Sequence, residues 1–229
     1  MTLKRFFSPS VFGLSWIMIL SFFCLGVLFV MCPEIDLWVS DAASDPETLF
    51  YLNHPLPIRV IYNSVEILTV SLSTALVILL VATRIKKHSI AGLSSKGLLF
   101  LLLALMLGPG LVVNVISKNI WGRARPAQIE QFGGSLKFSP AFVFSDQCDS
   151  NCAFVSGHSA LGFYFVAFAL LFKRHRKKLF AFAVGYGGLI GFGRIYQGGH
   201  FISDVIFSFY FVYLPIKLLY YFMYEKSKI

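Results

Sequence analysis

The stretch LLFLLLALMLGPGLVVNVI, residues 98–116, decides the fold. It carries no ionisable side chain and is long enough, at roughly 20 residues, to cross a hydrocarbon core as a helix. Its Gly108-Pro109-Gly110 predicts a kink whose freed backbone groups neighbouring helices must satisfy. The run ends abruptly in Lys118-Asn-Ile-Trp-Gly-Arg-Ala-Arg125-Pro126, three basic residues with an aromatic among them.

Working outward, five further apolar segments are read as spans: Val11–Met31, Ile58–Val81, Ala153–Phe172, Leu179–Gly193 and Phe201–Leu219. The expected fold is all-α, a polytopic membrane bundle of six transmembrane helices in a single domain over 1–229. Leu179–Gly193 is short for a span, so its outer end stops below the headgroups or runs on as helix into the next motif. Val11–Met31 is too long for the apolar core of a secretory signal, about 7–15 residues, and reads as a retained helix. Composition agrees: of 229 residues, 57% are hydrophobic and only 14% charged, against about a quarter charged in soluble domains. Mean hydropathy is +0.73. A disordered chain, a fibrous repeat and an ordinary cytosolic enzyme are excluded.

The net charge of +9 is topological. Lys4, Arg5, Arg84, Lys86, Lys87, Lys96, Lys173, Arg174, Arg176, Lys177, Lys178, Lys217, Lys226 and Lys228 make 14 of the 20 basic residues. All flank one side of the expected spans, which puts both termini in the cytoplasm. They are scattered among short loops, so no nucleic-acid partner is expected. The opposite side holds Glu34, Asp36, Asp41, Asp45 and Glu47, the long 117–152 connection and the short 194–200 one. Cys148 and Cys152 share that outer loop, where a disulfide and two free thiols are both open readings.

Polar residues at membrane depth are costly and tend to have a partner or a function. Three groups gather on the outer side. Around Lys118–Pro126, Pro126 steers Arg125 to extended backbone. Interfacial anchoring explains such a cluster, but basic residues are otherwise scarce on this face, and an anion explains it better. In Val155-Ser156-Gly157-His158, Ser156 suits a helix N-cap and Gly157 lets a ligand approach the backbone, at a helix end that favours phosphate. In Gly193-Arg194…His200…Asp204, His200 and Asp204 are four apart and would share a helix face, so the carboxylate can fix the imidazole tautomer. Gly198-Gly199 allows a tight turn between them. Taken singly, the second and third groups also read as a cap and as a buried packing pair. Together they combine fixed positive charge (Lys118, Arg125, Arg194), neutral donors (Ser156, Gly157) and two imidazoles (His158, His200). That set suits displacement at phosphorus. Nothing in it looks like a two-metal site.

At these residues the chain resembles the type 2 phosphatidic acid phosphatase (PAP2) superfamily, whose pattern is K-x6-R-P, then P-S-G-H, then S-R-x5-H-x3-D. Lys118…Arg125-Pro126, Ser156-Gly157-His158 and Arg194…His200…Asp204 match in identity and spacing, while Val155 and Gly193 depart at flanking positions. The resemblance implies a phosphatase. In it His200 attacks phosphorus, Asp204 orients His200 and His158 protonates the leaving oxygen. Lys118, Arg125, Ser156, Gly157 and Arg194 hold the phosphoryl oxygens, with no metal and no cofactor. The runs Trp121–Ile129, Phe132-Gly-Gly and Asn151–Gly157 are similar to bacterial lipid A phosphatases, which implies lipid A, cleaved at its 1- or 4'-phosphate, as the substrate; with the expected topology it is met at the periplasmic face of the inner membrane. Undecaprenyl pyrophosphate and phosphatidylglycerol phosphate stand as alternatives, as does an anionic-lipid transporter. The sequence leaves oligomeric state open. Arg123 and Lys137 either anchor the outer loop or touch a second phosphate or sugar. Glu66, within a span, either pairs with a basic residue of the site or bonds between helices.

Overall fold

The computed structural model describes residues 13–45, 47, 49–50, 56–90 and 92–226. Lys4, Arg5, Lys228 and the first two residues of the Val11–Met31 segment lie outside them. The described residues are helical, without a strand ladder.

Helix α1 spans Trp16–Met31, capped by the Ser15 hydroxyl. Helix α2, Glu34–Ala43, follows at 82° to it. Pro33 precedes α2 and has no N–H to continue the first helix, which accounts for the turn. Helix α3 is Leu56–Lys86. Helix α4, Ser95–Ile120, contains the Gly-Pro-Gly run. The structure does not break there. From Met106 to Ser117 the helix widens to π-type pairing around Pro109, and the Asn114 amide donates to the Pro109 carbonyl at 2.8 Å. A local change of pitch absorbs the missing donor. Helix α5 is Gly157–Leu171, two short helical stretches, Gly157–Tyr164 and Val166–Leu171, joined at Phe165. Helix α6, Arg176–Tyr196, runs on into the third motif, so the helix is longer than the short apolar segment 179–193 at both ends. Helix α7 is Ile202–Tyr220.

Four helices are long and apolar enough to cross a membrane: Leu56–Lys86, Ser95–Ile120, Lys173–Tyr196 and Ile202–Glu225. A fifth arises if α1 and α2 are counted as one bent span, while Gly157–Leu171 is apolar but shorter. Outward-facing Phe23, Val27, Ile67, Val70, Ile78 and Phe192 leave apolar surface where lipid would lie.

Two close approaches position the motif-bearing ends of these helices. A Cβ on Gly162 of α5 would come within 2.5–3.0 Å of Gly187 backbone and the Ile190 side chain on α6. Glycine at both positions lets the two helices touch backbone to backbone, the usual device where lipid offers no hydrophobic drive. Gly191 of α6 leaves room for the Val205 side chain of α7, which a Cβ there would meet. The helices that carry Ser156–His158, Arg194 and Asp204 are thereby packed as one unit.

Candidate active site

The N-terminus of α5 carries the second motif. Ser156 is its N-cap, as expected: its hydroxyl accepts from the Ser159 N–H and pairs with the Ser159 hydroxyl at 3.0 Å. The Ser156 N–H donates to the Asp204 carbonyl, and its own carbonyl accepts from Ser208. The helix end is therefore tied to α7. A Cβ on Gly157 would lie 3.1 Å from Lys118 Cε. Glycine is thus what lets the lysine reach the end of α5.

Arg125 has extended backbone, φ −85° and ψ 156°, as Pro126 demands. Its guanidinium donates to the Asn151 carbonyl at 2.8 Å, and Lys118 Nζ donates to Asn151 Oδ1 at 2.7 Å. Arg194 sits in the last turn of α6, with one guanidinium nitrogen on Gln197 Oε1 at 2.6 Å. Its Nε is buried without a hydrogen-bond partner. A side chain at Gly199 would collide with this guanidinium. Gly198 takes φ +63°, so the Gly-Gly pair makes the tight turn anticipated for it.

His200 is fully buried, and its Nδ1 lies 2.8 Å from the Ala153 carbonyl. A carbonyl can only accept, so Nδ1 carries the proton and Nε2 of the neutral ring keeps a free lone pair. Burial, then the positive charges of Arg194, Lys118 and Arg125, hold this imidazole well below its usual titration range, against the Ala153 bond. His200 precedes α7 and lies off the helix, so the expected shared helical face is not formed. Asp204 Oδ2 is 3.6 Å from Nδ1, beyond hydrogen-bond distance. The carboxylate is engaged elsewhere. Oδ2 caps α7 by accepting from the Phe201 N–H at 2.7 Å, and Oδ1 accepts from Arg123 at 2.6 Å. A backbone carbonyl, not the aspartate, fixes the His200 tautomer.

Arg123 anchors the loop. It is buried and donates to Asp204, Ser203, the Ser139 carbonyl and, at 2.7 Å, Asp36 Oδ2. Its guanidinium also lies over the Phe201 ring, 4.2 Å from the centroid. Asp36 of α2 accepts in turn from the N–H and hydroxyl of Ser203. A buried carboxylate–guanidinium–carboxylate bridge thus joins α2 to the start of α7. Lys137 is exposed on the loop that follows α4. Glu66 forms no ion pair among the described residues.

Two cavities meet the cationic cluster. One, of about 400 Å³, opens between α3, α4 and α5 and is lined by Glu66, Thr69, Met106, Asn114, Lys118 and His158 among others. The second, of about 490 Å³, is polar and bounded by Arg59, Tyr62, Asn63, Arg125, Arg194 and Gln197 with Gly198 and Gly199. Tyr62 links them: its ring stacks on His158 at 4.5 Å between centroids, and the Arg194 guanidinium lies 4.9 Å from its centre. Cys148 and Cys152 form a disulfide, which settles the pair left open by the sequence.

The eight residues singled out by motif therefore converge from α4, its following loop, the start of α5, the end of α6, the turn that holds His200, and α7. Sequence reading missed Asp36, Tyr62 and Asn114, and did not see that Arg123 bridges two acids. Asn114 had a signal, an amide inside an apolar span. Tyr62 and Asp36 had none beyond their residue types.

A model of the PAP2 superfamily matches residues 97–228, more than half of the chain. This chain belongs to the PAP2 superfamily. Among known proteins, this PAP2 member is 48% identical over 135 residues to a lipid A 4'-phosphatase of Francisella tularensis subsp. novicida (strain U112), covering 58% of this chain and 61% of that one. It is 40% identical over 103 residues to a lipid A 4'-phosphatase of Rhizobium leguminosarum, 44% of each chain. It is also 40% identical over 98 residues to a lipid A 1-phosphatase of Rhizobium etli, 42% of this chain and 38% of the other. The chain thus spans about three-fifths or less of these relatives' lengths. No solved structure matches it. With its apolar helices, this PAP2 protein is a multi-pass membrane protein.

Proposed function

We propose that this PAP2 protein is a phosphatase of lipid phosphates that works through a phosphohistidine, without a metal, at the outer face of the membrane. The observation that carries the reading is the state of His200. Its Nδ1 lies 2.8 Å from the Ala153 carbonyl, which leaves Nε2 free, and burial with the charges of Arg194, Lys118 and Arg125 favours the neutral ring.

In the first step the Nε2 lone pair attacks phosphorus. The bond to the lipid oxygen breaks, and His158 supplies that oxygen with a proton. Lys118, Arg125 and Arg194, with Ser156 and the Gly157 amide, neutralise charge on the equatorial oxygens, where positioned cations matter most. Arginine meets phosphate with a bidentate fork, and the Arg194 Nε lacks a hydrogen-bond partner. In the second step water, deprotonated by His158, attacks the phosphohistidine and releases inorganic phosphate. Asp204 acts on His200 at 3.6 Å through its charge, which opposes the surrounding cations and favours the imidazolium-like nitrogen of the intermediate.

The substrate we favour is lipid A, cleaved at the 1- or 4'-phosphate, because the relatives above carry those names. Arg59 and Asn63 at the mouth of the polar cavity suit a polar headgroup. Six crossings follow if α1 is the first span and Gly157–Leu171 the fourth, within a single domain. The bias of basic residues then places both termini in the cytoplasm and the site on the periplasmic side of an inner membrane.

The test is phosphate release by the purified protein in detergent with excess EDTA. Lipid A, phosphatidic acid, phosphatidylglycerol phosphate and undecaprenyl pyrophosphate form the panel, with His200→Ala alongside. Release from lipid A that survives EDTA and is lost in the variant is expected. Full activity in His200→Ala sinks the mechanism, and preference for another lipid sinks the substrate.

A further inference from the structure

We propose that residues 148–153, closed by the Cys148–Cys152 disulfide, form a clamp that presets the phosphate-binding cations and His200, with Asn151 as a positioning residue. The proposal rests on the phosphatase reading above.

Three consecutive residues reach Lys118, Arg125 and His200, three of the eight motif residues. Asn151 Oδ1 accepts from Lys118 Nζ at 2.7 Å, and the Asn151 carbonyl accepts from Arg125 at 2.8 Å. The Cys152 N–H donates to the Lys118 carbonyl at 3.2 Å, and the Ala153 N–H to the Arg123 carbonyl at 2.9 Å. The Ala153 carbonyl then accepts from His200 Nδ1 at 2.8 Å. One short segment therefore touches two phosphate cations, the buried Arg123 and the nucleophile.

The chemistry of Asn151 fits the task. Lys118 and Arg125 repel one another, and a carboxylate between them would hold both but compete with an anionic substrate. The two neutral oxygens of Asn151 hold them without cancelling their charge. An ammonium has three donors, so Lys118 keeps two for phosphate. Asn151 takes φ +51°, a left-handed conformation that asparagine tolerates better than most residues. The segment lies in no helix or strand. The disulfide, which closes a loop between positions four apart, removes much of the freedom such a segment would otherwise have. The remaining described cysteines, Cys24 and Cys32, are free thiols, so a reductant has the one bond to act on among the described residues.

The experiment compares wild type, Asn151→Gly, the Cys148→Ser/Cys152→Ser double variant, and wild type treated with dithiothreitol. That dithiol is oxidised to its cyclic disulfide as Cys148 and Cys152 become thiols. The readouts are kcat and KM on a lipid phosphate, inhibition by orthovanadate as a mimic of five-coordinate phosphorus, and melting temperature. Asn151→Gly keeps the left-handed backbone and the carbonyl under Arg125 but deletes the acceptor for Lys118. It is expected to lower kcat about tenfold and weaken vanadate similarly, with KM changed less than about threefold, because misplacing a catalytic charge harms the transition state most. Its melting temperature should stay within about 2 °C of wild type, since an exposed side chain is lost. Reduced wild type should lose at least as much activity and regain it on reoxidation. The double serine variant should match reduced wild type and ignore dithiothreitol.

Asn151→Gly and reduced enzyme that both stay within about twofold of wild type in kcat and vanadate inhibition overturn the clamp. So does a loss of activity that only follows a loss of melting temperature. Wild type that hydrolyses no lipid phosphate overturns the phosphatase reading, and the clamp with it.

Discussion

Replacing Arg123 by methionine removes the one guanidinium that bridges Asp36 and Asp204, both fully buried. Methionine keeps most of the aliphatic volume, so the perturbation is electrostatic. Breaking a buried ion pair by deleting one partner costs about 3–5 kcal/mol, because an uncompensated charge remains inside. Here two carboxylates lose their cation. Asp36 keeps the Ser203 N–H and hydroxyl, and Asp204 keeps the Phe201 N–H, so the lower half of that range is expected. For a chain of this size, about 2–4 °C of melting temperature accompanies each kcal/mol, which makes the loss roughly 6–16 °C. The assay is thermal unfolding in detergent followed by intrinsic fluorescence. Adding Asp36→Asn to Arg123→Met should recover part of the loss, because one of the two stranded charges is gone, and the two changes should be non-additive by about 1 kcal/mol or more. Arg123→Met that melts with wild type would refute the reasoning: the bridge would then not hold α2 to the start of α7.

Three further outcomes follow from the same geometry. Gly199→Ala puts a methyl group on the Arg194 guanidinium and should lower kcat/KM at least about tenfold while expression and folding persist, measured on the preferred lipid. Tyr62→Ala, which removes the ring between His158 and Arg194, should lower kcat by about tenfold, whereas Tyr62→Phe should stay near wild type, since stacking needs the ring and not the hydroxyl. The imidazole of His200 should stay neutral below pH 6.5, about where a free histidine titrates, because its range is depressed. Between that value and the lower folded one, the unfolded chain binds a proton that the folded chain lacks. This contribution to stability is therefore complete above about pH 6.5 and falls as the pH drops. Histidine-selective NMR, with the signal identified by its loss in His200→Ala, checks it, and a ring that charges at or above pH 6.5 contradicts it.

The apolar runs made the helices legible, since 98–116 or 58–81 can satisfy its backbone in lipid as a helix and in few other ways. Span number was less so. Residues 153–172 became a short helix with a non-helical start, because Ala153 spends its N–H and carbonyl on Arg123 and His200 instead of on a helix. The motif residues were legible because fixed spacing within a loop or one helix turn constrains position: Lys118 and Arg125 did converge on one residue. What the sequence concealed was long-range. Asp36 and Ser203 are 167 positions apart and Tyr62 stacks on His158 across two helices. No period or local motif encodes such pairs. Likewise, His200 and Asp204 suggested a bonded pair by their spacing of four, but that inference assumed a helix, and the Gly198-Gly199 turn ends before one begins.

The central claim is that His200 becomes covalently phosphorylated. The direct measurement is rapid quenching of the purified protein in alkali after mixing with lipid labelled with ³²P at the scissile phosphate. A label should be trapped that is stable in base and lost in acid, as a phosphoramidate is, should map to the peptide holding His200, and should be absent from His200→Ala. A turning-over enzyme that traps no label under any quench time, or an equally labelled His200→Ala, would contradict the account.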